Sequence, residues 1–315
     1  MTNSTTSHNL CPQGISVPRL GFGTWRLNGA ECTSAVRVAL ETGYRHFDTA
    51  QLYRNETEVG RALRDSGINR ESVFLTTKLW RENLAAPRLQ RSVEESLQRL
   101  GTEYVDLLLV HWPNPGVALE HSLEGMTQVQ AEGKVRHLGV SNFPPSMLRR
   151  ALSAAHLTNI QVEYHPYLSQ DALLAVARES ELFLTAYSPL AKGLVFEDET
   201  LKAIGSAHGK SAGQVALRWL VEQDAVAAIP RSSDAEHIRS NFDLWDFELS
   251  AEETNRIAGL ASGRRLINPA SAPDWERSDE AEWFRGYRVP ASLGTALRAG
   301  RWFARKLRRG ISSIR

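Results

Sequence analysis

The feature that most constrains the fold of this chain is a repeated alternation of short apolar runs with amphipathic stretches. A 3.6-residue apolar period predicts helices, as in 88–100 (RLQRSVEESLQRL) and 171–180 (DALLAVARES). Short runs rich in β-branched and aliphatic residues predict strands. Eight strands are predicted in this way, at residues 20–25, 45–50, 73–79, 105–112, 135–141, 160–165, 182–188 and 225–230.

This order of elements predicts an α/β protein, and the strand count is that of a (β/α)8 TIM barrel. A doubly wound parallel sheet is the competing architecture. We find no internal repeat and no Gly/Ser-rich linker, so a single barrel domain is expected over 16–276. A flexible N-terminus is expected at 1–15, and a basic, helical C-terminal extension at 277–315.

Several polar residues with useful chemistry stand where the predicted strands end. They are Asp48, Lys78, His111, Asn142, Tyr187 and Arg231. Barrel enzymes assemble their sites from the carboxyl ends of different strands, so this placement favours the barrel and puts all six around one mouth. The alternative is that polar residues follow strands simply because loops are polar.

Composition limits the function classes. The 315 residues hold 37 Lys and Arg against 36 Asp and Glu, which gives no reason to expect nucleic-acid binding. Cys11 and Cys32 are the only cysteines, so a disulfide framework is excluded and a reducing compartment fits. We see neither a signal peptide nor an apolar run of the ~20 residues that span a bilayer. A cytoplasmic protein is therefore expected.

The end of the chain differs from the rest. Residues 271–315 hold 10 basic and 5 acidic side chains, and no acidic residue follows Phe284. The pattern over 289–315 predicts a basic amphipathic helix, which suits peripheral contact with a membrane surface or a protein partner. Three glycines weaken the helix prediction. Packing against the barrel, folding over the mouth and a disordered end are the alternatives.

Nine stretches of the chain match the motifs of a known family in the right order. They are GFGTW (21–25), GYRHFDTAQLYRNE (43–56), TTKLW (76–80), YVDLLLVHWP (104–113), LGVSNF (138–143), QVEYHP (161–166), AYSPLAKG (186–193), QVALRW (214–219) and IPRSS (229–233). From about Pro18 to Trp275 the chain thus resembles the aldo-keto reductase family. Together with DTAQLY and KLWRENL, RLINPASAPDWE (265–276) is similar to the bacterial 2,5-diketo-gluconate reductase B group, whose members also reduce methylglyoxal.

The resemblance implies a catalytic set of Asp48, Tyr53, Lys78 and His111, since all four family positions match. Carbonyl reduction needs an acid that protonates the developing alkoxide, and tyrosine, with a pKa of about 10, is a weak one. We therefore expect Lys78 to lower the pKa of Tyr53 while Asp48 holds the ammonium in place. His111 is expected to orient and polarise the carbonyl. Singly, each residue has a commoner structural explanation, but the four together favour catalysis.

The expected cofactor is NADPH. Gly21-Phe22-Gly23 lacks the third glycine of a Rossmann fingerprint, so a dinucleotide has to bind by a barrel-specific route. By resemblance, the nicotinamide ring stacks on Tyr187, which leaves one face open for hydride transfer. The carboxamide is expected to bind Ser141, Asn142 and Gln161, and the pyrophosphate to contact Ser188 and Leu190. Barrel-interior packing is the alternative explanation of Gln161 and Tyr187.

The adenosine 2′-phosphate is expected after the eighth strand, at Arg231, Ser232, His237 and Asn241. Here the chain departs from the family, because the usual lysine is Arg231 and the usual arginine is His237. Arg231 keeps the positive charge, so NADPH is expected to bind better than NADH. A histidine is mostly neutral at pH 7, so the preference is expected to be weaker than usual.

The substrate pocket is expected to be walled by Trp25, Trp80 and Trp112, again by resemblance. The short connection after the fourth strand suggests an open pocket for small carbonyls, including dicarbonyls such as methylglyoxal or 2,5-diketo-gluconate. No metal site is expected, because His46, His111 and His165 lack ligand spacing. We expect a monomer.

Two other functions remain open at this stage. A Schiff-base lyase would use Lys78 as its nucleophile, since barrel aldolases also place a lysine at a strand end. A non-catalytic barrel would bind NADPH and act through its basic tail.

Overall fold

The computed structural model describes residues 8–269 and 272–275. Its main sheet has eight parallel strands in the order of the sequence. They are β3 (Phe22–Gly23), β4 (His46–Asp48), β5 (Phe74–Leu79), β6 (Val105–Val110), β7 (Val135–Ser141), β8 (Asn159–Glu163), β9 (Phe183–Tyr187) and β10 (Val226–Ile229).

The sheet closes on itself between its first and last strands. Leu20 forms a parallel bridge with Ala228. The amide of Gly21 donates to the carbonyl of Ala228 at 2.8 Å, and the amide of Ala228 donates to that of Arg19 at 2.8 Å. A closed parallel sheet is a barrel, so the (β/α)8 prediction is confirmed and the doubly wound sheet is wrong.

Ten α-helices lie within the described ranges. They are α1 (Gly29–Thr42), α2 (Glu56–Asp65), α3 (Arg88–Leu100), α4 (Leu119–Ala131), α5 (Pro145–Ala154), α6 (Asp171–Glu179), α7 (Glu199–His208), α8 (Ala212–Glu222), α9 (Ala235–Phe242) and α10 (Ala251–Ala258). Helix α3 buries Leu89, Val93 and Leu97 against the barrel, as its 3.6-residue period predicts. Capping boxes begin α8 and α10.

The predicted strands are all present, but their ends differ. The predicted strand 20–25 is reduced to Phe22–Gly23, because the residues before it make only the single bridge that closes the barrel. The predicted strand 160–165 ends at Glu163, since His165 turns back to bridge Leu168. The pattern of apolar residues in the sequence does not reveal such turns, because the residues on both sides of each turn are buried.

The N-terminal segment forms a hairpin. Strand β1 (Asn9–Leu10) pairs antiparallel with β2 (Val17–Pro18), and the flexibility expected for residues 1–15 stays a prediction. Leu10 and Val17 are buried with Phe74 and Phe183, which lie at the amino ends of β5 and β9. The hairpin therefore covers the amino end of the barrel. Residues 1–7 lie outside the described residues.

The expected basic extension, 277–315, also lies outside the described residues. Its predicted helix and its contact with a membrane or partner stay predictions. Within 8–269 and 272–275, no helix is both long enough and apolar enough to cross a membrane.

The contact between α2 and α3 yields a stability prediction. A Cβ atom on Gly60 would overlap the backbone carbonyl of Leu100, so the two helices would have to move apart to accommodate it. We expect Gly60→Ala to lower the free energy of unfolding by about 2–3 kcal/mol, measured by urea denaturation. Gly259→Ala is the control, because its Cβ would make only ordinary contacts at 3.4 Å. Equal stability of the two variants would contradict this account of the contact.

Candidate active site

The residues singled out from the sequence converge on the carboxyl ends of the strands. Asp48, Ser141 and Tyr187 are the last residues of their strands, and His111, Asn142 and Arg231 follow strands directly or within two residues. In a parallel barrel these ends form one mouth.

Lys78 is the centre of the polar network at this mouth. Its side chain is fully buried in β5 and donates to the carboxylate of Asp48 and to the carbonyl of Thr49 at 2.9 Å. A third bond goes to the hydroxyl of Tyr53 at 3.2 Å. Burial lowers the pKa of Lys78, while Asp48 opposes that effect. The ammonium is thus compensated by one carboxylate and saturated with acceptors.

Asp48 is held from its other side as well. The amide nitrogen of Gln161 donates to the second carboxylate oxygen of Asp48 at 2.8 Å. One carboxylate therefore links Lys78 of β5 with Gln161 of β8 across the barrel interior.

Tyr53 is fixed by a short turn, 51–53, that follows β4. Gln51 accepts from the amide of Trp80 at 3.0 Å and from the side chain of Asn83 at 2.9 Å, and it donates to α3. Asn55 donates to the carbonyls of Thr24 and Leu27 at 2.8 and 2.9 Å. Our reading of the sequence missed both roles, although QLYRNE places a polar residue on each side of the tyrosine.

The acidity of Tyr53 differs from the expectation. Burial, and then the charge of Asp48, raise the pKa of Tyr53 well above its ordinary value. The expected lowering of this pKa by Lys78 is not found in this state, because burial and the charge of Asp48 together outweigh the effect of the ammonium. The phenol is therefore protonated at neutral pH. Its oxygen accepts from Lys78, which leaves its own hydrogen free to be donated.

His111 borders Tyr53 on one side and Trp80 on the other. Both ring centroids lie 5.6 Å from the imidazole, in edge-on contacts. Burial, with added repulsion from Lys78 and Arg81, lowers the pKa of His111 well below its usual range. The ring is therefore neutral at physiological pH and keeps one N–H to donate. Its Nδ1 atom is buried and has no hydrogen-bond partner within the described ranges.

The residues expected to bind nicotinamide form a connected group. The side chain of Asn142 donates to the carbonyl of His111 at 2.9 Å and to the hydroxyl of Ser141 at 3.0 Å. Its amide oxygen accepts from the Tyr187 hydroxyl at 2.7 Å. Asn142 adopts a left-handed φ of 63°, which asparagine tolerates better than most residues. Amide and hydroxyl groups beside an aromatic ring fit a carboxamide-bearing ring, so this donor set is compatible with nicotinamide.

The residues expected at the phosphates lie on two loops. Ser188 and Leu190 precede the turn at 191–197, where Ala191, Lys192 and Gly193 have positive φ angles. Arg231 is exposed and donates to the carbonyls of Trp25 and Arg26 at 3.1 and 3.3 Å. Within the described ranges this guanidinium bonds only to backbone oxygens, and no carboxylate pairs with its charge.

The loop that carries Arg231 also carries an acidic residue, Asp234. Asp234 caps α9 by accepting from the amide of His237 at 2.9 Å. The hydroxyl of Ser232 accepts from the amide of Asp234 at 3.0 Å. His237 is exposed, and Asn241 is largely buried in the same helix. The hydrogen bonds of the helix cap thus occupy the hydroxyl of Ser232 and the amide of His237, two of the groups expected to bind a 2′-phosphate.

The three tryptophans take different positions. Trp25 is 45% exposed, and its ring lies 4.8 Å from that of Tyr53. Trp80 contacts His111, as above. Trp112 is buried and makes no ring contact with the other two within 8–269 and 272–275. Trp25 and Trp80 thus flank Tyr53 and His111, and the pocket role expected for all three tryptophans stays a prediction.

No cluster of three His, Cys, Asp or Glu side chains that could hold a metal ion occurs in the described part of the chain.

Comparison with known proteins agrees with this geometry. The model of the aldo/keto reductase family matches residues 19–262, and the chain belongs to that family. It is an oxidoreductase that uses a nicotinamide cofactor. The family resemblance noted from the sequence is therefore confirmed.

Three individual proteins are similar to this chain over most of its length. Methylglyoxal reductase DkgB of Escherichia coli O157:H7 is 38% identical over 268 residues, covering 83% of this chain and 100% of that protein. A crystal structure assigned as 2,5-diketo-D-gluconic acid reductase B superposes with a TM-score of 0.84 at 42% identity, over 87% of this chain and 99% of that chain. The aldose reductase of Schistosoma japonicum has a TM-score of 0.79 at 31% identity, over 83% and 94%.

The buried neutral state of His111 predicts a dependence of stability on pH. Its pKa in the folded chain lies below that of the unfolded chain, so the unfolded chain binds a proton first as the pH falls. Stability should therefore fall as the pH drops below about 6.5, by ~1.4 kcal/mol per pH unit for this one group. We expect His111→Asn to reduce the slope of unfolding free energy between pH 7 and pH 5, measured by urea denaturation. An unchanged slope would contradict the neutral imidazole.

Proposed function

We propose that this protein reduces small aldehydes and ketones to alcohols with NADPH, using Tyr53 as the proton donor. The observation that carries the proposal is that one buried ammonium, Lys78, bonds both Asp48 and the hydroxyl of Tyr53 at the mouth. A lysine with a purely structural role does not require a phenol beside it at the mouth. A reductase requires such an acid, because the oxygen of the substrate gains negative charge as the carbonyl is reduced.

The hydrogen bonds of Tyr53 indicate the source of the proton that the reduced carbonyl receives. A bound nicotinamide supplies the hydride. The substrate oxygen would lie within reach of the Tyr53 hydroxyl and of an N–H of His111, which orients and polarises the carbonyl. As charge develops on that oxygen, Tyr53 donates its proton. Lys78 then stabilises the phenolate, and Asp48 keeps the ammonium within reach.

The raised pKa of Tyr53 fits this sequence of events. The free phenol keeps its proton, so the acid is in its active form before substrate arrives. The resulting alkoxide is a much stronger base than a phenolate, so proton transfer is downhill without a lowered pKa. Lys78 acts on the product of that transfer rather than on the resting acid.

Three groups of residues would hold the nicotinamide, the pyrophosphate and the 2′-phosphate of the cofactor. Ser141, Asn142 and Gln161 would bind the carboxamide, Tyr187 would stack on the ring, and Ser188 and Leu190 would contact the pyrophosphate. Arg231, Ser232, His237 and Asn241 would surround the adenosine 2′-phosphate. Arg231 favours NADPH through its charge, whereas the carboxylate of Asp234 on the same loop and the presence of His237 in place of the family's arginine reduce the margin over NADH.

The proposed substrates are small dicarbonyls, with methylglyoxal and 2,5-diketo-gluconate as the candidates to test. The names of the DkgB relative and of the structural neighbour support both. The connection between β6 and α4 spans only 111–118, and Trp25 is largely exposed, which supports an open pocket.

The lyase alternative is disfavoured by the surroundings of Lys78. A Schiff base needs a neutral amine that a substrate carbon can reach. Here the ammonium is fully buried and bound to three oxygen acceptors. A purely cofactor-binding barrel would have no use for this arrangement either.

Loss of the phenol tests the proton donor. We expect Tyr53→Phe to lower kcat by at least about 100-fold, measured as NADPH oxidation at 340 nm with methylglyoxal. NADPH affinity, measured by tryptophan fluorescence, should stay within about threefold, because the phenol does not hold the cofactor. Tyr104→Phe is the matched control, since that hydroxyl lies at the amino end of β6. Full activity in Tyr53→Phe would overturn the proposal.

The charge of Arg231 tests the cofactor preference. We expect Arg231→Met to weaken NADPH binding roughly tenfold and to leave NADH binding nearly unchanged, because only NADPH carries the 2′-phosphate. Arg239→Met removes an exposed charge from α9 and serves as the control. Equal effects of Arg231→Met on both cofactors would show that Arg231 does not read the 2′-phosphate.

A further inference from the structure

The place of the Tyr53 hydroxyl depends on a short turn, and its bond to Lys78 leaves little tolerance. Tyr53 is the last residue of the turn at 51–53, and Arg54 after it has a left-handed φ of 56°. The hydroxyl lies 3.2 Å from the ammonium of Lys78, at the long end of the range for a hydrogen bond. A small displacement of the turn would therefore break the bond on which the proposed proton transfer depends.

A carboxylate that the proposed reaction does not use lies three residues after Tyr53. Glu56 is the first residue of α2 and is almost completely buried. One of its oxygens accepts from the hydroxyl of Thr77 at 2.6 Å. Thr77 directly precedes Lys78 in β5, so the two side chains point to opposite faces of the strand. Glu56 therefore joins the segment that carries the phenol to the strand that carries the ammonium.

The other oxygen of Glu56 is bound by Arg99 of α3. The guanidinium donates from Nε at 2.8 Å and from Nη2 at 2.7 Å. The side chain of Arg99 is 38% exposed, whereas that of Glu56 is only 1% exposed. A buried charge without a partner is costly, so Arg99 is what allows Glu56 to be charged in this place.

Ser96 and Gln51 complete a ring of hydrogen bonds. The hydroxyl of Ser96 accepts from Arg99 at 3.1 Å and from the side chain of Gln51 at 3.1 Å. Gln51 in turn accepts from the amide of Trp80, just after β5, at 3.0 Å. The bonds thus leave β5, pass through α2 and α3 to the turn at 51–53, and return to the end of β5. We call this ring the clamp, and its side chains are those of Thr77, Glu56, Arg99, Ser96 and Gln51.

Electrostatics also connects the clamp with the reaction centre. Burial lowers the pKa of Lys78, and the charges of Asp48 and then Glu56 oppose that effect. Glu56 therefore lies close enough for its charge to act on the ammonium, although no hydrogen bond joins the two within the described ranges.

We propose that Glu56 and Arg99 are positioning residues for the proton donor: their ion pair closes the clamp and keeps the Tyr53 hydroxyl within hydrogen-bond distance of Lys78. The inference rests on the proposed reductase function. Misplacement of a reacting group by about 1 Å can lower a rate by about 100-fold. A loosened clamp should therefore slow the chemical step. Binding of substrate and NADPH should hardly change, because none of the five clamp side chains is among those expected to bind them.

The first test removes the ion pair as a unit. Glu56→Gln/Arg99→Met leaves no uncompensated charge of the pair in the interior, so the fold should survive. We expect single-turnover reduction of methylglyoxal by bound NADPH to slow by about tenfold or more. KM for methylglyoxal and the Kd for NADPH, measured by tryptophan fluorescence, should stay within about threefold. The control, Arg70→Met/Asp106→Asn, removes another largely buried ion pair, 2.7 Å apart, at the amino end of β6, and should keep the rate within about twofold.

The second test opens the clamp without changing any charge. Ser96→Ala removes the hydroxyl that joins Gln51 to Arg99, and we expect it to slow the same single-turnover reaction by about threefold to fivefold. Ser92→Ala is the matched control one turn earlier in α3. Its hydroxyl is also buried, but it donates to the carbonyl of Leu89 within the same helix at 2.9 Å. If the ion-pair double variant does not fold, the comparison of these two serine variants decides.

A third measurement separates positioning from general support of the barrel. Both clamp variants are combined with Tyr53→Phe, and the residual single-turnover rate is measured. Without the phenol hydroxyl the clamp has no acid to position, so the residual rate should not fall further. A merely structural role would slow the reaction equally with and without Tyr53.

The outcomes are distinct. A clamp that can be opened with the rate staying within about twofold of wild type would overturn this inference and leave the reductase proposal intact. An equal loss of rate in the Tyr53→Phe background, or in the matched controls, would also overturn it. Wild-type protein that binds NADPH but reduces no carbonyl would overturn both proposals.

Discussion

The buried pair of Lys78 and Asp48 is the interaction on which the rest of the mouth depends. Neither charge reaches solvent, so each would be costly alone, and removing one partner of such a pair costs about 3–5 kcal/mol. The barrel tolerates the pair because Thr49, Tyr53 and Gln161 satisfy the remaining donors and acceptors. The same bonds set the resting state of the site, in which the phenol keeps its proton although an ammonium lies beside it.

Strand register explains why these side chains meet. Asp48 pairs with Thr76, and Lys78 lies two residues farther along β5 on the same face of the strand. The phenol comes from the turn after β4, which Gln51 ties to the end of β5 through Trp80. Rigid strands thus supply the ion pair, and a hydrogen-bonded turn supplies the acid. On the opposite side of the mouth, Glu163 at the end of β8 accepts from the backbone amides of Leu266 and Ile267.

Much of this arrangement was predictable from the sequence, and the exceptions have physical reasons. Strand-end positions of Asp48, Lys78 and His111 follow from apolar periodicity, because eight parallel strands leave few other arrangements. The supports at Gln51, Asn55 and Glu163 were missed, since a hydrogen bond between distant backbone and side-chain atoms leaves no periodic signal. The direction of the Tyr53 pKa shift was also wrong. Burial and the charge of Asp48 raise that pKa despite the neighbouring lysine, and both effects are properties of three-dimensional packing.

The most direct test of the account removes the ion pair as a unit. In the double variant Asp48→Asn/Lys78→Met no uncompensated charge stays buried, so the fold and NADPH binding should survive. Single-turnover reduction of methylglyoxal by bound NADPH should then slow by about 1000-fold or more, because the phenolate of Tyr53 loses its stabilising cation. A rate within about tenfold of wild type would show that the pair only stabilises the barrel, and that Tyr53 does not depend on Lys78.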